Sequence, residues 1–426
     1  MQGNTLYTIL IIAVLLLGDF YILKGVRAAF KKKAFSHKNW FVTGYWLSAI
    51  FFITFLLLGI YSPLGAGIRT AFLFGFALQF IFKICFLLVM FIDDIRRGIL
   101  HLLRKYKQPA TAPPVQQNKP DAIPRSEFLM KAGLLAGAIP LGAIRIGMPG
   151  GLYDYRVRHQ TLYLPNLPKA FNGMTIGQIS DIHSGSFHKS IAVRGGVEML
   201  MKERADVIFF TGDLVNGAAW EMKDYQDIFS KVKAPLGVYS VLGNHDYGDY
   251  GKWPSAAAKT KNNADIIQTH KNMGWDVLID QHRRLKVDGE EIGLLGIGNW
   301  GEMSRFPKYG KMEKAVIGTN DLPVKLLLSH DPSHWRAEVL PKYKDIDMVF
   351  AGHTHGMQFG IRTDDFQWSP IKYVYPEWAG LYREGQQQIY VNVGFGFAGL
   401  QGRVGILPEI TIFTLKAATD PVLNKA

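Results

Sequence analysis

Five short groups of polar residues follow apolar runs in the second half of the chain, and their residue types are those that bind metal ions. Together they contain three Asp, one Asn and five His residues. The groups are Ser180-Asp181-Ile182-His183, Thr211-Gly212-Asp213, Gly243-Asn244-His245-Asp246, Ser329-His330 and Gly352-His353-Thr354-His355-Gly356. Carboxylate, imidazole and amide oxygen suit Mn, Fe, Zn or Co ions, and the lack of thiolate argues against a structural zinc site. Since one tetrahedral ion cannot use so many ligands, we expect two divalent ions about 3.5–4 Å apart that share a carboxylate.

Each group directly follows a run that predicts a buried β-strand. These runs are Met174–Ile179, Val207–Phe210, Val238–Leu242, Lys325–Leu328 and Met348–Phe350. Amphipathic helices are predicted between them, at Ile191–Glu203, Ala219–Val232 and Ala264–Met273. The alternation of strands and helices favours an α/β domain. Because sites in such sheets form at the carboxyl ends of strands, we expect the five groups to meet in one site.

The five groups in this order resemble the calcineurin-like metallophosphoesterase superfamily, whose pattern is D-x-H, G-D, G-N-H-D/E, H and G-H-x-H. One group alone is weak evidence for the family. The probability that all five groups follow predicted strands in this order by chance is under roughly 1%. The resemblance covers about Thr161–Leu415 and is closer to the membrane-associated, phosphodiesterase-like bacterial branch. One departure is Met357, where that branch usually has a second Gly before Gln358.

The resemblance implies a four-layer αββα sandwich and a role for each residue of the pattern. One ion would be held by Asp181, His183 and His355, the other by Asn244, His330 and His353, with Asp213 bridging both. The expected nucleophile is a hydroxide between the ions. It would form because two cations lower the pKa of the water that they bind. His245 is suited to donate a proton to the leaving oxygen, with Asp246 orienting its ring.

The activity implied is that of a metallophosphoesterase, a hydrolase acting on phosphoric ester bonds, with a phosphodiester or pyrophosphate substrate. A narrower alternative is a nucleotide-sugar lipid pyrophosphatase of the UDP-diacylglucosamine type, since the chain has apolar segments suited to membranes. A third alternative is a non-catalytic membrane sensor that retains the metal site to bind a ligand. Whether the phosphoester substrate is lipid-linked stays open at this point.

Nearly all of the net charge of +13 lies in the first third of the chain. Residues 1–148 carry 17 Lys and Arg against 5 Asp and Glu, whereas residues 149–426 carry 31 against 30. The basic residues are interleaved with long apolar runs, which is typical of membrane topology and gives no support for a nucleic-acid partner. Residues 1–108 therefore predict an all-α, membrane-embedded region with three transmembrane helices, at about 6–23, 40–61 and 71–92.

Residues 109–148 decide on which side of the membrane residues 149–426 lie. Residues 109–127 are rich in Pro, Ala and Gln and predict a linker, and residues 149–426 form the predicted phosphoesterase domain. Residues 128–148 are apolar with a core of only 13 residues that contains Pro140, which suits a fourth span or a vestigial export signal. Residues 125–131 resemble a twin-arginine signal with Ser126 in place of the second Arg. The positive-inside rule puts the N-terminus outside, so a fourth crossing would make the catalytic domain of this cell-membrane protein extracytoplasmic.

Two charged residues lie inside predicted spans. An unpaired charge at the centre of a membrane helix costs at least about 2.5–3.5 kcal/mol. Asp19 and Lys83 lie at matching depths, about 20 and 18 Å from the outer face at a rise of about 1.5 Å per residue. We therefore expect an ion pair between them, the alternative being that each reaches separately towards the headgroups.

The positions of the other His residues, of Arg403 and of an aromatic stretch can also be predicted. The other His residues, including His270, are expected on the surface or in loops. His334 is four residues from His330 with Pro332 between them, so it is expected as a helix-start residue. Arg403, in the Gly-rich run Val393–Gly405, is a candidate to reach a substrate phosphate. The aromatic stretch Phe366–Trp378 is expected to be core or lid, with an apolar wall for a lipid-bearing substrate as the functional alternative.

Overall fold

The computed structural model describes residues 2–30, 33–62, 66–106, 131–138, 142, 150–399 and 401–418. It divides the chain into two compact units, Met1–Ile146 and Gly147–Ala426. The predicted linker at 109–127 and most of the predicted fourth apolar segment lie outside the described residues.

The first unit consists of long apolar helices. They are α1 (Gln2–Ala29), α2 (Asn39–Tyr61) and α3 (Ala66–Tyr106), and a further helix, α4, covers residues 131–138. Among the described residues, three segments are long and apolar enough to cross a membrane: Tyr7–Arg27, Asn39–Tyr61 and Gly75–Leu103. Large apolar side chains such as Leu17 and Leu88 are exposed on these helices, as expected where lipid is the solvent. The prediction of three apolar helices is confirmed.

The predicted ion pair inside the membrane region is also confirmed. Lys83 Nζ lies 2.7 Å from Asp19 Oδ1, and the Asp19 side chain is completely buried. The phenol of Tyr45 donates a hydrogen bond of 2.8 Å to Asp19 Oδ1, so α2 joins the pair formed by α1 and α3. Pairing and hydrogen bonding offset the cost of removing the carboxylate from water.

The second unit is an α/β domain. Within residues 150–399 and 401–418 the strands are β1 (Arg156–Leu164), β2 (Thr175–Ile179), β3 (Val207–Phe210), β4 (Val238–Ser240), β5 (Asp276–Val277), β6 (Gln281–Val287), β7 (Glu290–Gly296), β8 (Lys325–Leu328), β9 (Met348–Ala351), β10 (Ile361–Arg362), β11 (Gln367–Trp368), β12 (Gly380–Glu384), β13 (Gln387–Val391) and β14 (Glu409–Ala417). The helices are α5 (Ser190–Lys202), α6 (Gln226–Phe229), α7 (Ala256–Asn272), α8 (Met312–Ala315) and α9 (Leu340–Lys342), the last preceded by a π-helical turn at Trp335–Val339.

The described strands form two six-stranded sheets and one short hairpin, β10–β11. The first sheet has the order β1-β14-β2-β3-β4-β5 and the second the order β12-β13-β9-β8-β7-β6. Strands β2 to β5 are parallel to one another, and so are β7, β8 and β9 with β13. The carboxyl ends of these parallel strands therefore share one edge of each sheet, where their following loops can converge.

Alternating side chains build the layers. Val207 and Phe209 of β3 pack in a core shared with the second sheet, including Phe350 of β9. Ile208 and Phe210 pack instead in a core shared with α5 and α7. On the other side, residues of β8 and β9 pack against Trp335 of the π-helical turn. Because successive side chains of a strand point to opposite faces, each sheet packs against the other sheet on one face and against helices on the other. The predicted αββα fold is confirmed.

Two of the predicted helices differ from the structure. Residues 219–232 do not form one helix, because a 3₁₀ turn at Ala219–Met222 is separated from the short α6. The helix predicted at Ala264–Met273 begins eight residues earlier, at Ala256, where the Ser255 hydroxyl caps it by accepting from the Ala258 N–H. In the second segment the capping hydrogen bond of Ser255 sets the start of the helix.

Candidate metal centre

The structure brings together all seven predicted metal-ligand residues, although they come from five loops. The loops follow β2, β3, β4, β8 and β9. Asp181, His183 and His355 form one group whose nitrogen and oxygen atoms lie within 4.8 Å of one another. Asp213, His330 and His353 form a second group of the same size. The five loops thus form one site with two neighbouring donor groups.

Asp213 lies between the two groups. Its Oδ2 is 3.4 Å from His183 Nε2 and 3.2 Å from His330 Nε2. Its Oδ1 is held by the backbone N–H of His245 at 2.8 Å. One carboxylate oxygen is therefore fixed by the loop, and the other faces both imidazoles.

Hydrogen bonds at the far ring nitrogens orient the imidazoles. His330 Nδ1 donates to the Thr211 carbonyl at 2.8 Å, and His183 Nδ1 donates to Asn216 Oδ1 at 3.0 Å. In the neutral rings these bonds leave Nε2 as a lone-pair donor directed at the site. Such support at the other ring nitrogen is typical of His residues that bind metals.

The donor set fits divalent cations. Among the described residues, His183 Nε2 and His355 Nε2 are buried and have no hydrogen-bond partner, which is costly for an imidazole unless an ion takes the lone pair. His353 Nδ1 faces Asn244 Oδ1 at 2.8 Å and His330 Nε2 at 3.3 Å. A nitrogen and two other donors directed at one point form a pattern suited to coordination.

Carboxylate charge dominates the electrostatics of the site. Burial opposes a charged imidazole, yet the Asp213 carboxylate raises the pKa of His330 to about 10. Burial also opposes an ionised Asp181, but His355 and His330 lower the pKa of that carboxyl below its usual range. Burial lowers the pKa of His355 to about 4, which keeps its ring in the neutral form that a ligand needs. The site therefore stabilises positive charge, as a cation site requires.

The backbone of the site is strained. Five predicted ligands have a positive φ: Asp181, His183, Asp213, His353 and His355, with φ between 48° and 71°. Non-Gly residues in this region cost about 1–3 kcal/mol each and concentrate at functional sites. The surrounding sheets hold these residues in place, which aims their side chains at a common centre.

Two glycines let the loops approach the ligands closely. A Cβ on Gly243 would lie 2.2 Å from Asp213 Oδ1, and a Cβ on Gly352 would lie 2.2 Å from Asp181 Oδ2. Any other residue would displace one of the two carboxylates. The glycines of the sequence pattern are therefore required by space.

His245 lies in the cleft as expected, whereas Asp246 makes other contacts than those expected. The His245 ring lines the cleft and stacks edge-on against His183 at 4.8 Å, and its Nδ1 donates to the carbonyl of Asn216 at 2.9 Å. Asp246 does not orient this ring, so that expectation was wrong. Its carboxylate accepts from the backbone N–H groups of Asp213, Leu214, Val215 and Gly243. Asp246 therefore ties two ligand loops together, and the Asn216 carbonyl orients His245.

Arg403 does not reach the cleft, which corrects the expectation that it contacts substrate. Its side chain is fully buried and donates to carbonyls of Val393, Gly396 and Ile406. Its Nη2 also lies 3.2 Å from His355 Nδ1. Arg403 therefore supports a loop and a ligand from behind the site.

His270 is buried in α7, so the expectation of a surface or loop position was wrong for it. His334 is also buried, but it lies directly before the π-helical turn at Trp335–Val339, at the helix start where it was expected. His270 Nδ1 contacts Ser240 Oγ at 2.9 Å, and His334 Nδ1 contacts Ser329 Oγ at 2.9 Å. Burial lowers the pKa of each to about 3. Both are neutral core residues with one hydroxyl contact each.

The metal centre opens into a cleft of about 380 Å³. Its wall contains three residues outside every segment that the sequence pattern marked, namely Tyr250, Arg305 and Phe306. Thr354, Ile371 and Ala398, from marked segments, also line it. The aromatic stretch Phe366–Trp378 divides in two: Tyr375 and Trp378 are buried, whereas Tyr373 is 75% exposed. Tyr375 also lines the cleft, and its hydroxyl lies 2.9 Å from His353 Nε2. No motif marks Tyr250, Arg305 or Phe306, because they come from loops without a periodic pattern.

Comparisons with known proteins agree with this geometry. Residues 174–357 match the family model "Calcineurin-like phosphoesterase", a range that includes all five ligand loops. Residues 4–152 match a second model, "Probable Calcineurin-like phosphoesterase, transmembrane domain". Both units of the chain are therefore similar to calcineurin-like phosphoesterases.

Individual relatives carry the same domain. The chain is 30% identical over 287 residues to "Transmembrane protein with metallophosphoesterase domain" from Danio rerio, covering 65% of this chain and 60% of that protein. It is 29% identical over 294 residues to "Uncharacterized metallophosphoesterase YkuE" from Bacillus subtilis, covering 66% of this chain and 94% of that protein. It is 27% identical over 278 residues to "UDP-2,3-diacylglucosamine pyrophosphatase LpxG" from Chlamydia trachomatis, covering 54% and 81%. The chain spans less than two thirds of the Danio rerio relative, and all three printed names are those of phosphoesterases or pyrophosphatases.

Proposed function

We propose that the chain hydrolyses a phosphodiester or pyrophosphate with two divalent ions, drawn from Mn, Fe, Zn and Co. One ion would be held by Asp181, His183 and His355, and the other by Asn244, His330 and His353. The observation that carries the proposal is the position of Asp213 Oδ2 between His183 Nε2 and His330 Nε2, which suits a shared ligand. Bound there, two ions would supply Lewis acidity and lower the pKa of water.

The protein's own residues supply the remaining chemistry. The Nδ1 of His245 is taken by the Asn216 carbonyl, so Nε2 is the nitrogen available to pass a proton to the leaving oxygen. Asp246 keeps the loops of Asp213 and Asn244 in register through its four backbone contacts. The narrow cleft positions the ester beside these groups.

The test is turnover by the purified full-length chain. With Mn²⁺ supplied, we expect hydrolysis of bis(p-nitrophenyl) phosphate and a loss of about 10²–10⁴-fold in His245→Ala at unchanged metal content. His159→Ala, an exposed His on β1, is the matched control and should keep full activity. Failure to hydrolyse any tested diester or pyrophosphate with metal bound would instead favour the membrane sensor.

A nucleotide-sugar lipid pyrophosphatase is the second candidate, favoured by the relative named as a UDP-2,3-diacylglucosamine pyrophosphatase. The membrane region of this chain is consistent with a lipid-linked substrate. Depletion of the protein should then raise the level of the diacylglucosamine nucleotide in the host. An unchanged lipid profile would contradict this substrate.

We further propose that the protein lies in the cell membrane with its catalytic domain extracytoplasmic. Three spans from an outer N-terminus end inside, so a fourth crossing at residues 128–148 is needed. The matched membrane family carries the name 4TM phosphoesterase and extends to residue 152, which supports that crossing. Residues 131–138 of this segment are helical.

A further inference from the structure

Arg305 places a guanidinium at the mouth of the catalytic cleft. The residue is exposed, lines the cleft, and holds its Cζ 4.6 Å from the centre of the Phe306 ring. Among the described residues, no hydrogen bond or ion pair uses this guanidinium. A cation beside a metal centre without a protein counter-charge is available to a ligand anion.

The loop that carries Arg305 is held in place. It follows β7, and the N–H groups of Tyr309 and Gly310 both donate to the Asn299 carbonyl, at 2.8 and 3.0 Å. The Asn299 amide in turn donates to the Pro307 carbonyl at 3.2 Å. The Tyr309 ring stacks on Tyr247 at 4.0 Å. Arg305 is therefore presented by an ordered loop, which lowers the entropy lost when it binds an anion.

Arg305 lies on the side of the second donor group, which contains Asp213, His330 and His353, but nearer to solvent than these residues. The Phe306 ring packs edge-on against His353 at 4.7 Å, and the Asn244 amide donates to Tyr250 Oη at 2.8 Å. His330 and Asn244 are buried, whereas Arg305 is exposed. A phosphoryl group in contact with both donor groups would lie at the bottom of the cleft, so Arg305 meets a part of the substrate nearer to solvent.

We propose that Arg305 binds a second anionic group of the substrate, the non-reacting phosphoryl group of a pyrophosphate. The inference rests on the proposed function and narrows its substrate class from phosphodiesters in general to esters with two adjacent phosphoryl groups. Arg provides a planar fork of N–H donors that matches two oxygens of one phosphoryl group. The contact of the guanidinium with the Phe306 ring, at 4.6 Å, favours the position of the Arg305 side chain at the cleft.

The kinetic test compares one substrate with two phosphoryl groups and one with a single group. Arg305→Ala should lower kcat/KM for UDP-glucose by about tenfold to a hundredfold, mainly through KM. The same variant should keep kcat/KM for bis(p-nitrophenyl) phosphate within about twofold. Arg305→Lys should recover part of the loss, because it keeps the charge without the fork.

Lys308→Ala is the matched control, since Lys308 is an exposed cation of the same loop that stacks on Trp300 at 4.0 Å outside the cleft. It should leave both substrates unaffected. Equal losses on both substrates in Arg305→Ala would overturn the proposal, because Arg305 would then act on the reacting phosphoryl group. No loss on either would overturn it as well.

A binding measurement separates this proposal from the proposed function. Metal-loaded wild type, with loading checked by elemental analysis, should bind methylenebisphosphonate at least about tenfold more tightly than methylphosphonate. Arg305→Ala should abolish most of that preference, whether or not the protein hydrolyses either substrate. Equal preference in the variant and wild type would overturn the assignment of Arg305, whereas absent turnover alone would overturn only the proposed function.

Discussion

Asp213 presents one oxygen to both donor groups, so its replacement tests both ion sites at once. Asp213→Asn should lower the occupancy of both ions. The loss of metal affinity should exceed the about 10–100-fold that is typical when a residue hydrogen-bonded to a metal ligand is replaced. Asn244→Ala should mainly lose one ion, because Asn244 belongs to the second group only. Elemental analysis after dialysis measures both, with Asp154→Asn on the surface as control. Two ions retained in Asp213→Asn would contradict the shared role.

Met357 is strained where a Gly would not be. Its φ is 55°, and its side chain is 54% exposed on the wall of the cleft. Met357→Gly should therefore stabilise the folded chain by up to about 1 kcal/mol, reduced by the greater freedom of Gly in the unfolded state. Thermal unfolding should show a rise of about 2–4 °C per kcal/mol. Met357→Ala is the control: an equal gain there would mean that removal of an exposed apolar side chain, and not relief of φ, is responsible.

At the scale of elements, the contact of Asp19 with Lys83 and Tyr45 joins the first three helices. Asp19→Lys should destabilise the membrane region, because it places two cations together in a low dielectric. Lys83→Asp added to it should restore stability, since the pair is re-formed in reverse. Tyr45→Phe should cost less, about 0.6 kcal/mol. Thermal unfolding in detergent or lipid measures all of these, and a double swap no better than the worse single change would contradict the pair.

The packing of α7 on β4 through His270 predicts a dependence of stability on pH. Burial lowers the pKa of His270 to about 3, whereas in the unfolded chain the pKa is near 6.5. Between these values the unfolded state binds more protons, so this contribution to stability is full above pH 6.5 and is lost as the pH falls towards 3. At pH 5 the loss is about 2 kcal/mol.

His270→Gln removes the titrating group and should flatten the decline in unfolding midpoint between pH 7 and pH 5. The exposed His159→Gln should leave the decline unchanged. If both variants follow the wild-type curve, the buried His270 does not control stability in this range.

At the scale of the whole molecule, the number of membrane crossings decides where hydrolysis takes place. With four crossings and an outer N-terminus, reporters fused at Pro421–Ala426 should report an extracytoplasmic C-terminus. An alkaline phosphatase fusion there should be active, and a cysteine introduced there in a Cys85→Ser background should react with an impermeant reagent in intact cells. An inactive fusion with an unreactive cysteine would place the catalytic domain in the cytoplasm.

The fold and the clustering of the candidate site residues could be predicted from the sequence alone because both follow from short-range patterns. Continuous apolar runs specify strands that are buried on both faces, such as β3 and β9. Polar groups directly after parallel strands must gather at one edge of the sheets, as Asp213 and His330 do despite their distance along the chain. Matched depth in two apolar helices likewise sufficed to predict the contact of Asp19 with Lys83. Strand burial, the shared edge of the sheets and depth along a helix all follow from the regular geometry of strands and helices. The order of residues in the sequence is therefore enough to predict them.

The roles of individual contacts were decided only by the tertiary structure. Asp246 was expected to orient His245, but its carboxylate reaches four backbone N–H groups and the ring is held by Asn216, 29 residues away. Arg403 was expected in the cleft and lies buried behind it, whereas Arg305 lies at the mouth. The physical reason is common to all three: the direction of a side chain on a loop depends on the path of that loop, which long-range packing fixes and no periodicity in the sequence encodes.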